Sequence, residues 1–111
     1  MRFRRLRDHV AFDRPAQNPD GSGGAVDGWA EQYTCKAEFI YSRGSETVDA
    51  ARLQGRSIYK VKIRQSPSAR SITSDFRMRD LNRDTEYNLR EVDAITDKDW
   101  VYIVAESGVA V

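Results

Sequence analysis

Hydrophobic and polar residues alternate with a period of two along much of this chain. The clearest example is the segment WAEQYTCKAEFIY, residues 29–41, in which Glu31 alone interrupts an apolar parity. Successive side chains of a β-strand point to opposite faces, so this alternation is typical of a strand with one buried face. We predict such a strand, whose buried face carries Trp29, Tyr33, Cys35, Ala37, Phe39 and Tyr41.

Five further segments have strand patterns. They are LRDHVAFD (6–13), SIYKVKIR (57–64), DFRMR (75–79), TEYNLREV (85–92) and WVYIVAE (100–106). In SIYKVKIR, Tyr59, Val61 and Ile63 alternate with basic residues. WVYIVAE is almost continuously apolar, which is typical of a strand covered on both faces.

The residues between these segments predict loops, turns and one short helix. Residues 14–28, RPAQNPDGSGGAVDG, contain two prolines and four glycines, so we predict a long flexible loop there. Residues 82–85 and 96–99 have the composition of tight turns, which makes the C-terminal third an antiparallel meander. Ser45 and the residues after it favour a short helix within Ser42–Arg56.

Together these elements predict a single domain, residues 1–111, of the all-β class. The expected fold is a mainly antiparallel, small six-stranded β-barrel or sandwich with one short helix in the loop between strands 2 and 3. Edge strands are expected because so narrow a sheet does not readily close. Lysine and arginine on the polar faces then discourage uncontrolled pairing at these edges.

The composition excludes several classes of protein. No apolar run approaches the length of a transmembrane helix, and no apolar core follows the basic N-terminus as it does in an export signal. The single cysteine, Cys35, excludes an internal disulfide and fits a reducing compartment. The single histidine, His9, has no partner set for a zinc site, and phosphate-binding and nucleophile motifs are missing. We therefore expect no enzyme, no metal and no cofactor.

Charge is distributed in blocks. Residues 52–79 contain eight basic residues and one acid, whereas the whole chain has a net charge of only +1. The candidate basic interface or DNA-facing residues are Lys60, Lys62, Arg64, Arg70, Arg77 and Arg79. Opposite blocks orient association between copies. The alternative is that these charges only solvate the polar faces of strands.

A basic strand face also raises the hypothesis of an OB-like, single-stranded nucleic-acid-binding module. Such modules stack bases on exposed aromatic rings. Here most aromatic residues share the apolar parity, as Tyr59 does with Val61 and Ile63, so the sequence predicts no stacking platform. Non-specific contact with DNA through charge alone stays open.

The order of segments resembles a known family. LRDHVAFDRP near the start, KIR in the third strand and YNLREV before the last strand are similar to the head–tail joining proteins of tailed phages and gene transfer agents. These proteins are also called head-closure, stopper or head–tail adaptor proteins. The resemblance covers about residues 4–107, and most of its weight comes from the order and spacing of the segments.

The resemblance implies a virion protein, made in the bacterial host cytoplasm, that forms a ring of six or twelve copies at the head–tail junction. The ring would retain packaged DNA and dock the tail, between a portal or adaptor protein and a tail terminator or tail-tube protein. The resemblance also implies a loop toward the channel or a neighbour, whose candidate residues are Arg43, Glu46, Asp49, Arg52 and Arg56. The alternative for this loop is a surface helix packed on its own barrel.

Overall fold

The structure, a computed structural model, describes residues 6–41 and 55–107 of the chain. This part of the chain contains strands and one short helix. In chain order they are β1 (Asp8–Pro19), β2 (Ala25–Tyr41), β3 (Ser57–Arg64), α1 (Pro67–Arg70), β4 (Arg77–Asp80), β5 (Thr85–Asp93) and β6 (Trp100–Ser107). The strands cover all six segments that the alternation of residues predicts.

The six strands form a closed antiparallel barrel in the order β1-β2-β3-β6-β5-β4. Closure depends on a short seam in which Val10–Asp13 of β1 pairs with Arg77–Asp80 of β4. The all-β, antiparallel fold is thus confirmed. The expectation of edge strands is wrong for the barrel itself, because four residues of β4 are enough to join its two ends and remove them.

Alternate residues of the strands fill the interior. Val61 and Ile63 of β3 face the core with Val101 and Ile103 of β6, and all four are fully buried. Phe12 of β1 is also fully buried in this cluster. The pattern of β3 is therefore confirmed, since its basic residues occupy the other parity.

A β-bulge interrupts the pairing of β1 with β2. Phe12 lies opposite Tyr33, but the next residue, Asp13, lies opposite Glu31, so Gln32 is an extra residue in β2. Such an extra residue reverses the alternation of side chains beyond it. The predicted buried face is therefore wrong at Trp29, which lies beside an arginine on the outer face of the barrel.

Beyond the bulge, β1 and β2 continue as a two-stranded ribbon, defined here as residues 14–19 paired with residues 25–30. The tip is a turn in which the Asp20 carboxylate accepts hydrogen bonds from the backbone N–H groups of Ser22 and Gly24. Gly21 and Gly23 there have φ of +85° and +88°, which favours glycine. The prediction of a loop over residues 14–28 is corrected, because most of these residues continue the pairing of β1 with β2. The flexibility predicted for residues 14–28 stays a prediction.

The helix α1 closes one end of the barrel. Ser66 caps it by accepting a hydrogen bond from the Ala69 N–H at 3.0 Å, and Pro67 occupies its first turn. Ala69 and Ile72 pack into the core. This helix lies between β3 and β4 rather than between β2 and β3, which corrects its predicted position. Residues 42–54 of the segment predicted to carry the helix lie outside the described residues.

Candidate functional site: two outer faces of the barrel

The basic residues of the segment 52–79 do not form one surface. In the barrel order, β3 and β4 are three strands apart and so lie on opposite sides. One group, on β3 with its neighbour β6, comprises Lys60, Lys62 and Arg64 and is called the β3–β6 face. The other, on β4 with β1 and the start of the ribbon, comprises Arg77 and Arg79 and is called the β1–β4 face. The block of charge seen in the sequence is thus divided by the fold.

On the β1–β4 face, one buried carboxylate holds both arginines. Asp13 Oδ2 lies 2.7 Å from Arg77 Nη2 and 2.7 Å from Arg79 Nε. Arg79 Nη2 also donates to Asp13 Oδ1 at 3.0 Å and to Glu31 at 2.8 Å, and Arg77 Nη1 donates to Glu86 at 2.7 Å. These bonds join β4 to β1, to β2 and to β5, around the seam that closes the barrel.

The pKa of Asp13 shows which influence prevails at this site. Burial on its own raises the pKa of a carboxyl, but the hydrogen bonds from Arg79 and Arg77, and their charges, outweigh burial and lower it. Hydrogen bonding to Asp13 correspondingly raises the pKa of Arg79. Asp13 therefore stays ionised, and its two arginines are neutralised inside the molecule.

Trp29 completes the β1–β4 face. Its ring lies 4.8 Å from the guanidinium carbon of Arg77, within the distance of a cation–π contact. The bulge brings Trp29 to this position, because the extra residue Gln32 reverses which side chains of β2 point outward beyond it. The interruption of the apolar parity at Glu31 was a mark of this change, but alternation alone could not reveal the contact, because Arg77 comes from a distant strand.

On the β3–β6 face, the cations lie over aromatic rings. Lys62 Nζ is 4.2 Å and Arg64 Cζ 5.1 Å from the centroid of Trp100. Lys60 Nζ is 4.8 Å from the centroid of Tyr102. The pairing of β3 with β6 explains the contacts: Arg64 lies directly opposite Trp100, whereas Lys62 and Lys60 lie opposite Tyr102 and Val104 and each reach the ring diagonal to them. Lys60 and Arg64 remain exposed.

The two rings of β6 are residues that the sequence interpretation missed. WVYIVAE is so apolar that it predicted a fully covered strand. In the structure Val101, Ile103 and Ala105 are fully buried, whereas Trp100 and Tyr102 are only partly buried and face the cations of β3. The available signal was that the larger aromatic residues alternate with the small aliphatic ones.

Carboxylates border the β3–β6 face on both sides. Glu38 of β2 lies opposite Lys62, with Oε1 3.3 Å from the lysine Nζ. Asp93 of β5 lies opposite Tyr102, and Glu91 lies opposite Val104. The face is therefore mixed in charge, with cations and aromatic rings along its middle and acids at its borders.

The remaining candidate residues lie apart from these two faces. Arg56 pairs with Glu106 at 2.8 Å, next to the start of β3. Arg70, at the end of α1, is exposed and donates to Gln65 Oε1 at 3.3 Å. Arg43, Glu46, Asp49 and Arg52 lie outside the described residues, so their predicted orientation toward a channel or a neighbour stays a prediction.

His9 and Cys35 occupy unrelated positions. The His9 side chain is exposed, while Cys35 packs partly buried against the core, where burial raises the pKa of its thiol to about 11. Within residues 6–41 and 55–107, the structure has no group of three or more His, Cys, Asp or Glu side chains that could hold a metal ion. The helix it describes there is also too short to cross a membrane.

Two surface depressions accompany the faces. One, of about 780 Å³, runs along the ribbon and is lined by Arg14, Pro15, Ala16, Gln17, Asp27, Gly28 and Trp29. The other, of about 380 Å³, lies where β3 ends and β6 begins, and is lined by Arg64, Gln65, Lys98, Asp99 and Trp100. The second is called the end depression below.

The chain is similar to known proteins in sequence and in fold. The sequence matches the family model described as phage head completion protein over residues 1–108. The solution structure of protein SF1141 from Shigella flexneri 2a is similar, with a TM-score of 0.69, 17% identity and full coverage of both chains. A chain from a virion of a native gene transfer agent particle is similar with a TM-score of 0.63, 19% identity and coverage of 98% of this chain and 100% of that chain. No curated protein matches the sequence.

Proposed function

The chain belongs to the phage head completion protein family, and from this we propose that it is a structural virion protein that closes the head of a tailed phage or gene transfer particle. It forms a homo-oligomeric ring, of six or twelve copies, at the head–tail junction. The ring holds packaged DNA in the head and offers a docking surface to the tail. Its neighbours are a portal or adaptor protein on one side and a tail terminator or tail-tube protein on the other.

One observation carries this proposal: the family match extends over residues 1–108, almost the entire chain. The family is one of structural proteins. The similar fold of a chain in a gene transfer agent virion supports the same placement. Synthesis in the host cytoplasm and contact with packaged DNA belong to the proposal as well.

The two outer faces are consistent with a ring. In a cyclic assembly each subunit presents two different surfaces to two neighbours. The β1–β4 face is saturated by internal ion pairs, whereas Lys60 and Arg64 of the β3–β6 face are exposed beside Trp100 and Tyr102. Aromatic residues are common anchors of protein interfaces. We therefore assign the β3–β6 face to contact with other virion components.

The proposal is tested by removing the protein from particle assembly. Without it, we expect DNA-filled heads that lose their DNA or fail to join tails, seen by electron microscopy and by nuclease sensitivity of the packaged DNA. Supplying the protein in trans restores tailed particles. Normal numbers of tailed, DNA-retaining particles in its absence would refute the proposal.

The role of the β3–β6 face has a separate test. The triple variant Lys60→Glu, Lys62→Glu, Arg64→Glu is expected to keep its fold, judged by circular dichroism, but to fail in particle assembly. A control variant reverses two exposed cations elsewhere, Arg7→Glu and Lys36→Glu, and should assemble normally. Equal particle yields from the two variants would remove the β3–β6 face from the interface.

One observation favours a second candidate function, single-stranded nucleic-acid binding. Trp100 and Tyr102 lie on the outer face beside lysines, the combination that such modules use for stacking and for phosphate contact. The bordering carboxylates of Glu38, Glu91 and Asp93 oppose it by repelling phosphate. Fluorescence anisotropy with a labelled single-stranded oligonucleotide at low and high salt tests this second function. Micromolar, salt-sensitive binding that is lost on Trp100→Ala would establish it.

A further inference from the structure

Among the described residues of its own subunit, no strand pairs with the ribbon, and its contact with the barrel is at its base, where Trp29 lies against Arg77. Beyond Asp13 no described strand pairs with the outer edge of β1, and β3 pairs with β2 only from Glu38 onward. The ribbon therefore extends from the barrel by about 20 Å, from six residues at roughly 3.3 Å each. An isolated two-stranded hairpin is at best marginally stable in water. A ribbon of this length is therefore expected to pack against a further surface.

The chemistry of the ribbon indicates what kind of surface it needs. Between Pro15 and Trp29 there are two carboxylates, Asp20 and Asp27, and no cation. Within the described residues neither carboxylate contacts a cation; Asp27 accepts one hydrogen bond, from Gln17 Nε2 at 3.0 Å. Val26 is 51% exposed between them. Beyond its base, where Arg14 adds a cation and Trp29 contacts Arg77, the ribbon thus presents acidic and apolar groups that no described residue outside it covers.

The end depression offers the complementary groups. Arg64 and Lys98 are both exposed and neither has an ion pair within the described residues, while the ring of Trp100 provides an apolar floor. Asp99 also lines the depression, so its two cations, Arg64 and Lys98, outnumber its one carboxylate. The depression is open to a strand that carries acidic and apolar side chains.

Topology places the two surfaces at the same end of the barrel. The ribbon begins after Asp13, which pairs with Arg77 at the start of β4. Arg64 at the end of β3 pairs with Trp100 at the start of β6, and α1 joins this end of β3 to β4. In a ring that keeps neighbouring barrels parallel, the ribbon of one copy and the end depression of the next are therefore at the same end of the assembly.

We propose that the ribbon of one copy docks in the end depression of the neighbouring copy, with Asp20 and Asp27 facing Arg64 and Lys98. This inference rests on the proposed function, since it names the contact between neighbours in the ring. Each subunit then uses two different surfaces, ribbon and depression, which is the arrangement that a closed ring requires. The ribbon gains the apolar and ionic contacts that it lacks in the single subunit.

Crosslinking between two kinds of copy tests the contact. Both carry Cys35→Ala; one also carries Asp27→Cys and the other Lys98→Cys, and they are mixed before particle assembly. We expect disulfide formation, or reaction with a short bismaleimide, to give a dimer of the two kinds. The control pairs Asp27→Cys with Arg7→Cys, which precedes β1 at the opposite end of the barrel, and should give no dimer.

The outcomes separate this inference from the proposed function. If rings are present in the particles but Asp27→Cys crosslinks only to the control position or to a different virion protein, the ribbon docks elsewhere and the inference is wrong. If particles contain no ring of this protein, both proposals fail. Crosslinking to Lys98→Cys with rings present supports both.

A charge exchange adds a functional measurement. Asp27→Lys and Lys98→Asp are each expected to lower particle yield at least tenfold, because each brings like charges together in the contact. The chain carrying both substitutions should recover most of the yield, since the pair is restored with its signs exchanged. Failure of the double variant to exceed either single variant, with all three folded by circular dichroism, would overturn the inference.

Discussion

The β1–β4 face and the β3–β6 face both carry arginine or lysine at alternate strand positions, and on each at least one cation lies near a tryptophan. They differ in what opposes the cations. On the β1–β4 face, the Asp13 side chain is 2% exposed and shared by two arginines. On the β3–β6 face the cations meet aromatic rings, and two of the three remain exposed. The same pattern of charge therefore closes the barrel on one side and leaves cations exposed beside aromatic rings on the other.

Burial predicts that the two faces contribute differently to the free energy of unfolding. A buried carboxylate has lost its hydration, and only well-placed cations compensate it, so removing one partner from such a pair costs much more than removing an exposed one. Cations over rings at a surface contribute about 0.5–1 kcal/mol each. We therefore expect the β1–β4 face to determine the stability of the subunit and the β3–β6 face to affect it little.

The largest effect is expected from Asp13→Asn. The substitution keeps the shape of the side chain but removes the charge that Arg77 and Arg79 share, so we expect a loss of about 3 kcal/mol in the free energy of unfolding. Urea unfolding followed by circular dichroism measures it. The same substitution at the exposed Asp27 is the control and should cost less than about 0.5 kcal/mol. A loss below about 1 kcal/mol at Asp13 would contradict the role of the seam.

The pH dependence of stability is the second test, and its sign follows from the lowered pKa of Asp13. A carboxyl whose pKa is lower in the folded state stabilises fully above its unfolded value, near 3.8, and loses that contribution as pH falls through the folded value. The difference in unfolding free energy between wild type and Asp13→Asn should therefore be constant from pH 7 to about pH 5 and shrink below about pH 4. A difference that grows on acidification would show that the sign is wrong.

The alternation of residues was sufficient to predict six strands, though not the ribbon that extends β1 and β2, and the positions of Val61, Ile63 and Met78 in the core follow from it. Two features of the site could not be predicted. The bulge at Gln32 moves Trp29 to the outer face; Glu31 interrupts the apolar parity there, but one interruption does not distinguish a bulge from a polar residue on an unbroken strand. The ion pairs of Asp13 join residues more than sixty positions apart, which only the closure of the barrel brings together.

The block of eight basic residues shows a further limit of sequence interpretation. Charge was counted along the chain, but surfaces are formed across strands, and strand order in this barrel is not chain order. β4 follows β3 in sequence and lies on the opposite side of the barrel. A contiguous block of charge is therefore evidence of a surface only when its strands are neighbours in the sheet.

The third prediction compares the two tryptophans. Trp100→Leu keeps apolar bulk but removes the ring that Lys62 and Arg64 contact, so we expect a loss of about 1 kcal/mol. Trp29→Leu removes one contact, with an arginine that Asp13 still holds, and should cost about 0.5 kcal/mol. Thermal unfolding of both variants gives the ranking. A larger loss at Trp29 than at Trp100 would mean that the β1–β4 face depends on its ring more than the β3–β6 face does.

The smallest effect is expected within the β1–β4 face itself, at Glu86. Its side chain is 48% exposed, and its bond to Arg77 Nη1 is 2.7 Å, as short as the bonds to Asp13. Geometry alone would rank the two carboxylates as equal, whereas burial predicts that Glu86→Gln costs less than about 0.5 kcal/mol, because water already screens an exposed pair. Urea unfolding at low and high salt measures this loss, which should vanish at high salt. A loss near that of Asp13→Asn would show that the number of ion pairs, and not their burial, stabilises the seam.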